Sequence, residues 1–307
     1  MRPTFSNPLN LAADPWIVYF DGNYYLTTTQ TDCIRMWKAP TLGGLADAPG
    51  IVVWQDADPT RSLEMWAAEF YRIGTRWYMY YTASDGYTPN HRIFVLESAG
   101  DDPLGPYHFK AQMTDTYSID PNLLDLGDGR RFFLYTSCVE NRNALVIAPL
   151  VNPYTLGEPH ALISVPTYDW ETRGFPVNEA PEALVRSGRV FVIYSACDTG
   201  TPDYCLGMLS ARADADLLDP ASWTKAAQPV FTRCDERGVY GVGHNGFFKS
   251  PDGTEDWIIY HAKTTPEYTY GGRTTRAQPF TWNADGTPNF GTPLALETPV
   301  SAPAGES

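Results

Sequence analysis

The chain has 307 residues, of which 19% are charged and 14% aromatic, and its formal net charge is -14. No Lys/Arg cluster interrupts that acidity, which excludes a nucleic-acid backbone or another polyanion as partner and leaves a neutral ligand such as a sugar compatible. The 19 Tyr and 9 Trp suit pleated sheets, where flat rings pack well, rather than a coiled coil or a disordered chain.

The opening residues carry no apolar h-region, and no stretch approaches the roughly 20 apolar residues that a membrane span needs. The expectation is a monomer without membrane contact, cytoplasmic, or secreted where a signal peptide has been removed. Five Cys at 33, 138, 197, 205 and 234 lack metal-type spacing. Free thiols are expected, with a Cys197–Cys205 disulfide as the alternative.

One pattern recurs along the chain: a polar residue, a strand, a Gly turn and an aromatic-rich strand. It runs from Asp14 through Gly22, from Trp66 through Gly74, from Asp120 through Gly129, from Glu179 through Gly188 and from His244 through Gly253. The turn glycines are 52, 55, 59 and 65 residues apart, and each supplies the positive φ of a hairpin turn. A third strand-like run follows each hairpin: 34–37, 92–96, 144–148, 206–209 and 275–280. After a Pro-rich bend comes a short fourth run: 51–54, 107–109, 161–163, 223–225 and 290–294. Helical periodicity is nearly absent, with 211–218 reaching one or two turns at most.

Four strands repeated five times predict an all-β, five-bladed β-propeller with four antiparallel strands per blade. A lone four-stranded sheet cannot bury both faces, so the sheets stack around an axis. A sandwich would not repeat at this spacing, and a β-helix coil is much shorter. One domain spans 1–307, with a short lead-in and a flexible tail from about 299. The chain starts with an inner strand and ends with an outer one, so the ring is expected to close through blade-to-blade packing.

Counting back from each turn glycine places Asp14 and Trp66 eight residues before it, and Asp120, Glu179 and His244 nine before it. In a propeller the first strands line the axis and open onto one face, so these five should meet at one mouth. Unpaired charge is costly to bury, which argues for function over packing. Three carboxylates around a pocket suit glycosidic cleavage, which needs an acid for the leaving oxygen and a base or nucleophile opposite. A third carboxylate raises the acid's pKa by repulsion. Taken singly, Asp14 and Asp120 read as turn-starting Asp-Pro pairs. Trp66 reads as core, His244 as a hydrogen-bonded core residue and Arg273 as half of a surface ion pair. Gly241-Val242-Gly243-His244-Asn245-Gly246 formally matches a dinucleotide fingerprint, but a strand and turn follow it rather than a helix.

The segments Ala13-Asp14-Pro15-Trp16, Ser118-Ile119-Asp120-Pro121, Asn178-Glu179-Ala180-Pro181, Gly243-His244-Asn245 and Gly272-Arg273-Thr274-Thr275 resemble, in order, the motifs of glycoside hydrolase family 43. The resemblance runs from about residue 7 to 296. It implies a five-bladed propeller that hydrolyses arabinosides and xylosides with inversion. By resemblance, Asp14 is the general base, Glu179 the general acid, and Asp120 tunes and orients that acid. Trp66, Asn178, His244 and Arg273 are expected to bind substrate, with Trp66 as a stacking platform and Arg273 on the sugar or on Asp120. No cofactor is required. A structural calcium at the axis, held near His244 through water, is the one metal implied. Glu-Ala-Pro stands where many members have Glu-Gly-Pro, and Glu182, three residues on, is the rival acid.

The expected activity is release of terminal α-L-arabinofuranose from arabinan or arabino-oligosaccharides. Val239–Phe248 and Gly253–Trp257 resemble the exo-acting subgroup. The alternatives are a β-xylosidase or endo-arabinanase of the same family, and a non-catalytic sugar-binding propeller that would keep Trp66 and tolerate loss of the acids.

Overall fold

The computed structural model describes residues 2–306. In the first blade Trp16–Phe20 turns back into Asn23–Thr27, followed by Ile34–Ala39 and Ile51–Trp54. The second blade comprises Leu63–Ile73, Arg76–Ser84, Arg92–Ser98 and Tyr107–Gln112. The third comprises Ser118–Asp125, Arg131–Val139, Arg142–Asn152 and Ala161–Ser164, with Thr155–Leu156 added at the edge. The fourth comprises Asn178–Arg186, Arg189–Ala196, Cys205–Arg212 and Thr224–Lys225. The fifth comprises Tyr240–Lys249, Asp256–Lys263, Thr274–Trp282 and Pro288–Asn289. All pairing within the blades is antiparallel, giving the expected five-bladed β-propeller.

The turn glycines 22, 74, 129, 188 and 253 have φ of 73, 66, 95, 74 and 75°, the left-handed bend a tight reversal requires. One expected strand is misplaced. The fifth blade's outer pairing falls at Pro288–Asn289 rather than 290–294, because Phe290 turns inward and is 2% exposed. Residues 211–218 are a strand end and turns, and the described residues hold no α-helix. No helix among them is long and apolar enough to cross a membrane. All five Cys are unpaired.

The core is divided among the seams between blades. Met36, Phe70, Trp77 and Met79 fill the seam of blades one and two. Tyr80, Val95, Phe133 and Val146 fill the next. Leu134, Ile147, Val192 and Leu209 pack the third seam, and Ile193, Leu206, Ile258 and Tyr260 the fourth. Ile17, Leu26, Trp257 and Ile259 close the ring between blades five and one. Each fully buried side chain of this size contributes roughly 1.5–3 kcal/mol, so a blade without neighbours would lose most of its stabilisation.

Closure also uses the backbone, beyond the packing expected from sequence. Leu9 N–H donates to Thr275 O at 2.8 Å, and Thr275 N–H donates to Asn10 O at 2.9 Å. The Asn7 amide brackets Ala277, donating to its carbonyl at 3.0 Å and accepting from its N–H at 2.9 Å. Thr4–Phe5 pairs with Val300–Ser301. The expectation of a flexible tail from 299 is therefore corrected. Ala302 is buried, Ala304 N–H donates to Glu255 Oε2 at 3.1 Å, and Glu306 Oε1 accepts from Leu42 N–H at 2.9 Å.

Candidate active site

Each first strand has at the rim a non-glycine residue with left-handed backbone: Asp14 (φ 57°), Ala67 (45°), Asp120 (54°), Ala180 (48°) and His244 (42°), and blade two has a second in Glu64 (51°). Such residues cost on the order of 1–3 kcal/mol each and persist where their surroundings fix them. In blades two to five the hairpin register breaks beside them, between Trp66 and Glu69, Ile119 and Asn122, Glu179 and Glu182, and Gly243 and Gly246. Those bulges re-aim the strand ends. The slip of one in the sequence count comes from the turns: blades two and four reverse within two residues (74–75 and 187–188), whereas blades three and five take 126–130 and 250–255. Asp14, Asp120 and His244 occupy the left-handed position, whereas Trp66 and Glu179 stand immediately before it. Ala180 holds the place where a Gly would carry no Cβ penalty.

The five first-strand residues Asp14, Trp66, Asp120, Glu179 and His244 line one cavity of about 1110 Å³, with Arg273 in its wall. Their convergence at one mouth is what the repeats predict. Trp66 stacks one face on His91 (centroids 4.1 Å apart, planes at 35°).

On the Asp14 side the neighbours are cationic or can become so. Arg273 Nη1 donates to Asp14 Oδ1 at 3.2 Å, while His261 Nδ1 lies at 3.1 Å and His244 Nδ1 at 3.4 Å from the same oxygen. Burial pushes the Asp14 carboxyl up, but His244, Arg273 and His261 outweigh it and hold the group well below the ordinary carboxylate range. Burial also drives His261 down to about 4 and lowers His244. Arg273 is the permanent charge among them. The sequence expectation for Arg273 is the sugar or Asp120; its carboxylate partner is Asp14 instead of Asp120, reached with the Arg273 Nε anchored on Tyr270 O at 3.0 Å.

On the Glu179 side the donors are neutral. Tyr204 Oη donates to Oε1 at 2.8 Å and Asn143 Nδ2 to Oε2 at 3.0 Å. Burial, with the charges of Asp14 and Asp198 adding to it, raises Glu179 to about 7 against those hydrogen bonds. Asp120 is also raised well above the usual range, by burial first and then by the Glu179 and Asp14 charges. Its Oδ2 accepts from Ala180 N–H at 3.1 Å. Asp120 and Glu179 titrate as an interacting pair.

One sequence expectation fails. Asn178 does not reach the cavity. Its neighbour Glu179 does, and successive side chains on a strand alternate in direction. The Asn178 amide donates to Glu171 Oε1 at 2.8 Å, and its carbonyl accepts from Ser164 Oγ at 2.7 Å and Lys225 Nζ at 3.1 Å. Glu182, the rival acid, is buried away from the mouth and takes a 2.7 Å hydrogen bond from Asn122 Nδ2, which also donates to Glu69 Oε2 at 3.1 Å. Burial and the Glu69 charge raise it well above the usual range.

Residues the sequence pattern missed complete the site. Tyr204 lies parallel to His261 (5.6 Å, 4°), and a Cβ on Gly243 would come within 2.1 Å of its ring. Asn143, Tyr117, Phe175 and Tyr270 also line the cavity. The loop bearing Tyr270 and Arg273 is tied to the 198–204 loop by buried Lys263. Its Nζ donates to the carbonyls of Gly200 (2.8 Å), Thr201 (3.1 Å), Thr269 (3.1 Å) and Glu267 (3.5 Å).

A calcium ion takes six to eight oxygen ligands. Near the axis, Asn245 Oδ1 and His261 Nε2 are buried without protein partners, one oxygen and one ring nitrogen. Asp14 is committed to Arg273. Among the described residues no group of three or more His, Cys, Asp or Glu could hold a metal. The residues do not fit a directly ligated calcium, and no step is routed through one.

The family model described as Glycosyl hydrolases family 43 matches residues 5–288. The chain is 41% identical over 312 residues to an extracellular exo-α-(1→5)-L-arabinofuranosidase of Streptomyces avermitilis, covering 95% of this chain and 64% of that protein. It is 38% identical to α-L-arabinofuranosidase 43 of Humicola insolens, covering 92% of this chain and 62% of that one. The chain thus spans less than two thirds of the length of these two relatives. The crystal structure of an α-L-arabinofuranosidase from Lactobacillus brevis superposes with a TM-score of 0.90 at 34% identity, covering 96% of this chain and 98% of that one.

Proposed function

The chain belongs to glycosyl hydrolases family 43, and from that premise we propose that it removes terminal α-L-arabinofuranosyl units from arabinan or arabino-oligosaccharides with inversion. The reading rests on one observation: two carboxyls lining one cavity are pushed in opposite directions, Asp14 down and Glu179 up. Near neutral pH the first is ionised and the second retains a large protonated fraction. That split is what hydrolysis by an acid and a base requires.

In the proposed step Glu179 passes its proton to the glycosidic oxygen as the bond to the anomeric carbon breaks. Water attacks the opposite face of that carbon and gives its proton to Asp14. A carboxylate of low pKa suffices, because water bonding to an oxocarbenium-like carbon becomes strongly acidic. Asp120, whose carboxyl accepts from the Ala180 N–H next to Glu179, titrates with it as a pair, so the two do not readily ionise together. Trp66 offers its free face to a sugar ring. Arg273 keeps Asp14 ionised. Export is part of the proposal only by analogy with the relative named extracellular.

The test is hydrolysis of an aryl α-L-arabinofuranoside beside the matching β-D-xyloside, with the anomer of the first-formed sugar read by NMR. Faster turnover of the arabinoside with initial release of the β-anomer is expected. A preference for the xyloside, or early α-anomer, would overturn the assignment.

A further inference from the structure

The left-handed residues at the rim share a second feature. In blades two to five, one buried side chain on the second strand stands directly opposite the residue that precedes the left-handed one: Thr82 opposite Trp66, Thr136 opposite Ile119, Ser195 opposite Glu179 and His261 opposite Gly243. All four are fully buried. Their shared action is across the seam. Each reaches the left-handed residue of the next blade and takes its amide. Thr82 Oγ1 accepts from Asp120 N–H at 3.2 Å. Thr136 Oγ1 accepts from Ala180 N–H at 3.2 Å and lies 3.5 Å from Asp120 Oδ2. Ser195 Oγ accepts from His244 N–H at 2.7 Å. His261 Nδ1 accepts from Asp14 N–H at 3.3 Å, joining blade five to blade one.

The remaining seam follows the same pattern through half-buried Thr29. Its N–H donates to the carbonyl of Ala13, which precedes left-handed Asp14, at 2.9 Å, and its Oγ1 accepts from the Ala67 N–H of the next blade at 2.9 Å. That seam delivers Trp66 to the cavity rather than a carboxylate, and the other four deliver Asp14, Asp120, Glu179 and His244.

We propose that Thr82, Thr136, Ser195 and His261 form a blade-to-blade clamp that positions the catalytic carboxyls by fixing the backbone from which they project. The inference rests on the carboxylate roles proposed above and extends them. Thr82 holds Asp120, Thr136 holds the peptide of Glu179, and His261 holds Asp14. Removing a clamp leaves the carboxyl present but free to swing, which should lower the rate of the chemical step and spare ground-state binding.

The experiment compares Thr82→Val and Thr136→Val, which keep shape and lose the hydroxyl, with Thr82→Ser and Thr136→Ser, which keep it. Thr27→Val is the control, a buried threonine that crosses a seam to the Ala68 carbonyl and holds no left-handed amide. Aryl α-L-arabinofuranoside kinetics and thermal midpoint are measured for all. Thr82→Val and Thr136→Val should each lose at least about tenfold in kcat with KM within about twofold, as expected when a reacting group drifts from alignment. The Ser variants should return to within about threefold of the parent. Thr27→Val should lower the thermal midpoint comparably and leave kcat within about twofold. Equal kcat losses in all three Val variants, or losses that follow the thermal midpoint, would overturn the clamp. So would unrescued Ser variants. A parent active on the xyloside alone sinks the arabinofuranoside reading, and the clamp is then judged by the same ratios on that substrate. A parent inactive on both sinks both.

Discussion

The two sides of the cavity show how one fold sets two carboxyls apart. Asp14 is buried and Glu179 half-buried in the wall of the same cavity, and desolvation alone would push both upward. The difference is in the partners. Blade five and the loop after it surround Asp14 with a guanidinium and two imidazoles, whereas blades three and four give Glu179 a phenol and a carboxamide. A neutral donor softens the effect of burial, and a fixed cation reverses it. Assignment of acid and base in such a site follows from the charge of the neighbours, not from depth.

The largest test removes the contrast altogether. Glu179→Ala and Asp14→Ala should each lower kcat by at least about 100-fold on the aryl arabinofuranoside, the scale of a lost general acid or base. Near-parental turnover in either variant would refute its assignment. Next, Arg273→Met should cost about tenfold or more in kcat/KM, the scale of a lost charge-assisted hydrogen bond. It should also move the acid limb of the pH–rate profile to higher pH. The base must be ionised, activity is lost as pH falls through the Asp14 pKa, and without the guanidinium that pKa rises.

The other limb tests the acid. Glu179 must carry its proton, so the parent profile should fall as pH rises through about 7. Tyr204→Phe removes a hydrogen bond that favours the ionised form, so this limb should shift upward, with kcat reduced only a few-fold, about what one neutral hydrogen bond contributes. An unchanged or downward limb would remove Glu179 from that role. The smallest effect concerns the backbone. Ala180→Gly relieves a Cβ at φ 48° and should raise stability by about 1 kcal/mol or less in denaturant unfolding, because the freer unfolded chain offsets part of the gain.

The fold was legible because each blade repeats the same local physics, a Gly at the reversal and apolar strands on either side. The gathering of Asp14, Trp66, Asp120, Glu179 and His244 was legible for the same reason. Two things were not. Turn length differs from blade to blade and changes the residue count between hairpin glycine and rim, so counting placed Trp66 and Glu179 one position off the left-handed residue they precede. Strand alternation was also overlooked at Asn178, whose neighbour Glu179 already faced the cavity. The partners that decide protonation lie on neighbouring blades or in irregular segments. Asn143 is 36 residues from Glu179, and Arg273 is 259 from Asp14. His261 ended the fifth repeat in plain view, but nothing in a repeat pattern says which strand will meet which across a closed ring.

The Lys263 ammonium is neutralised by peptide dipoles rather than by a carboxylate. Acid protonates carboxylates and dissolves ion pairs, but it leaves carbonyl oxygens as acceptors and keeps Lys charged. The wall that carries Tyr270 and Arg273 is thus fastened by an acid-tolerant tie. Alkali is its weakness: burial lowers the Lys263 pKa from its ordinary value, so the tie loosens as the medium becomes basic.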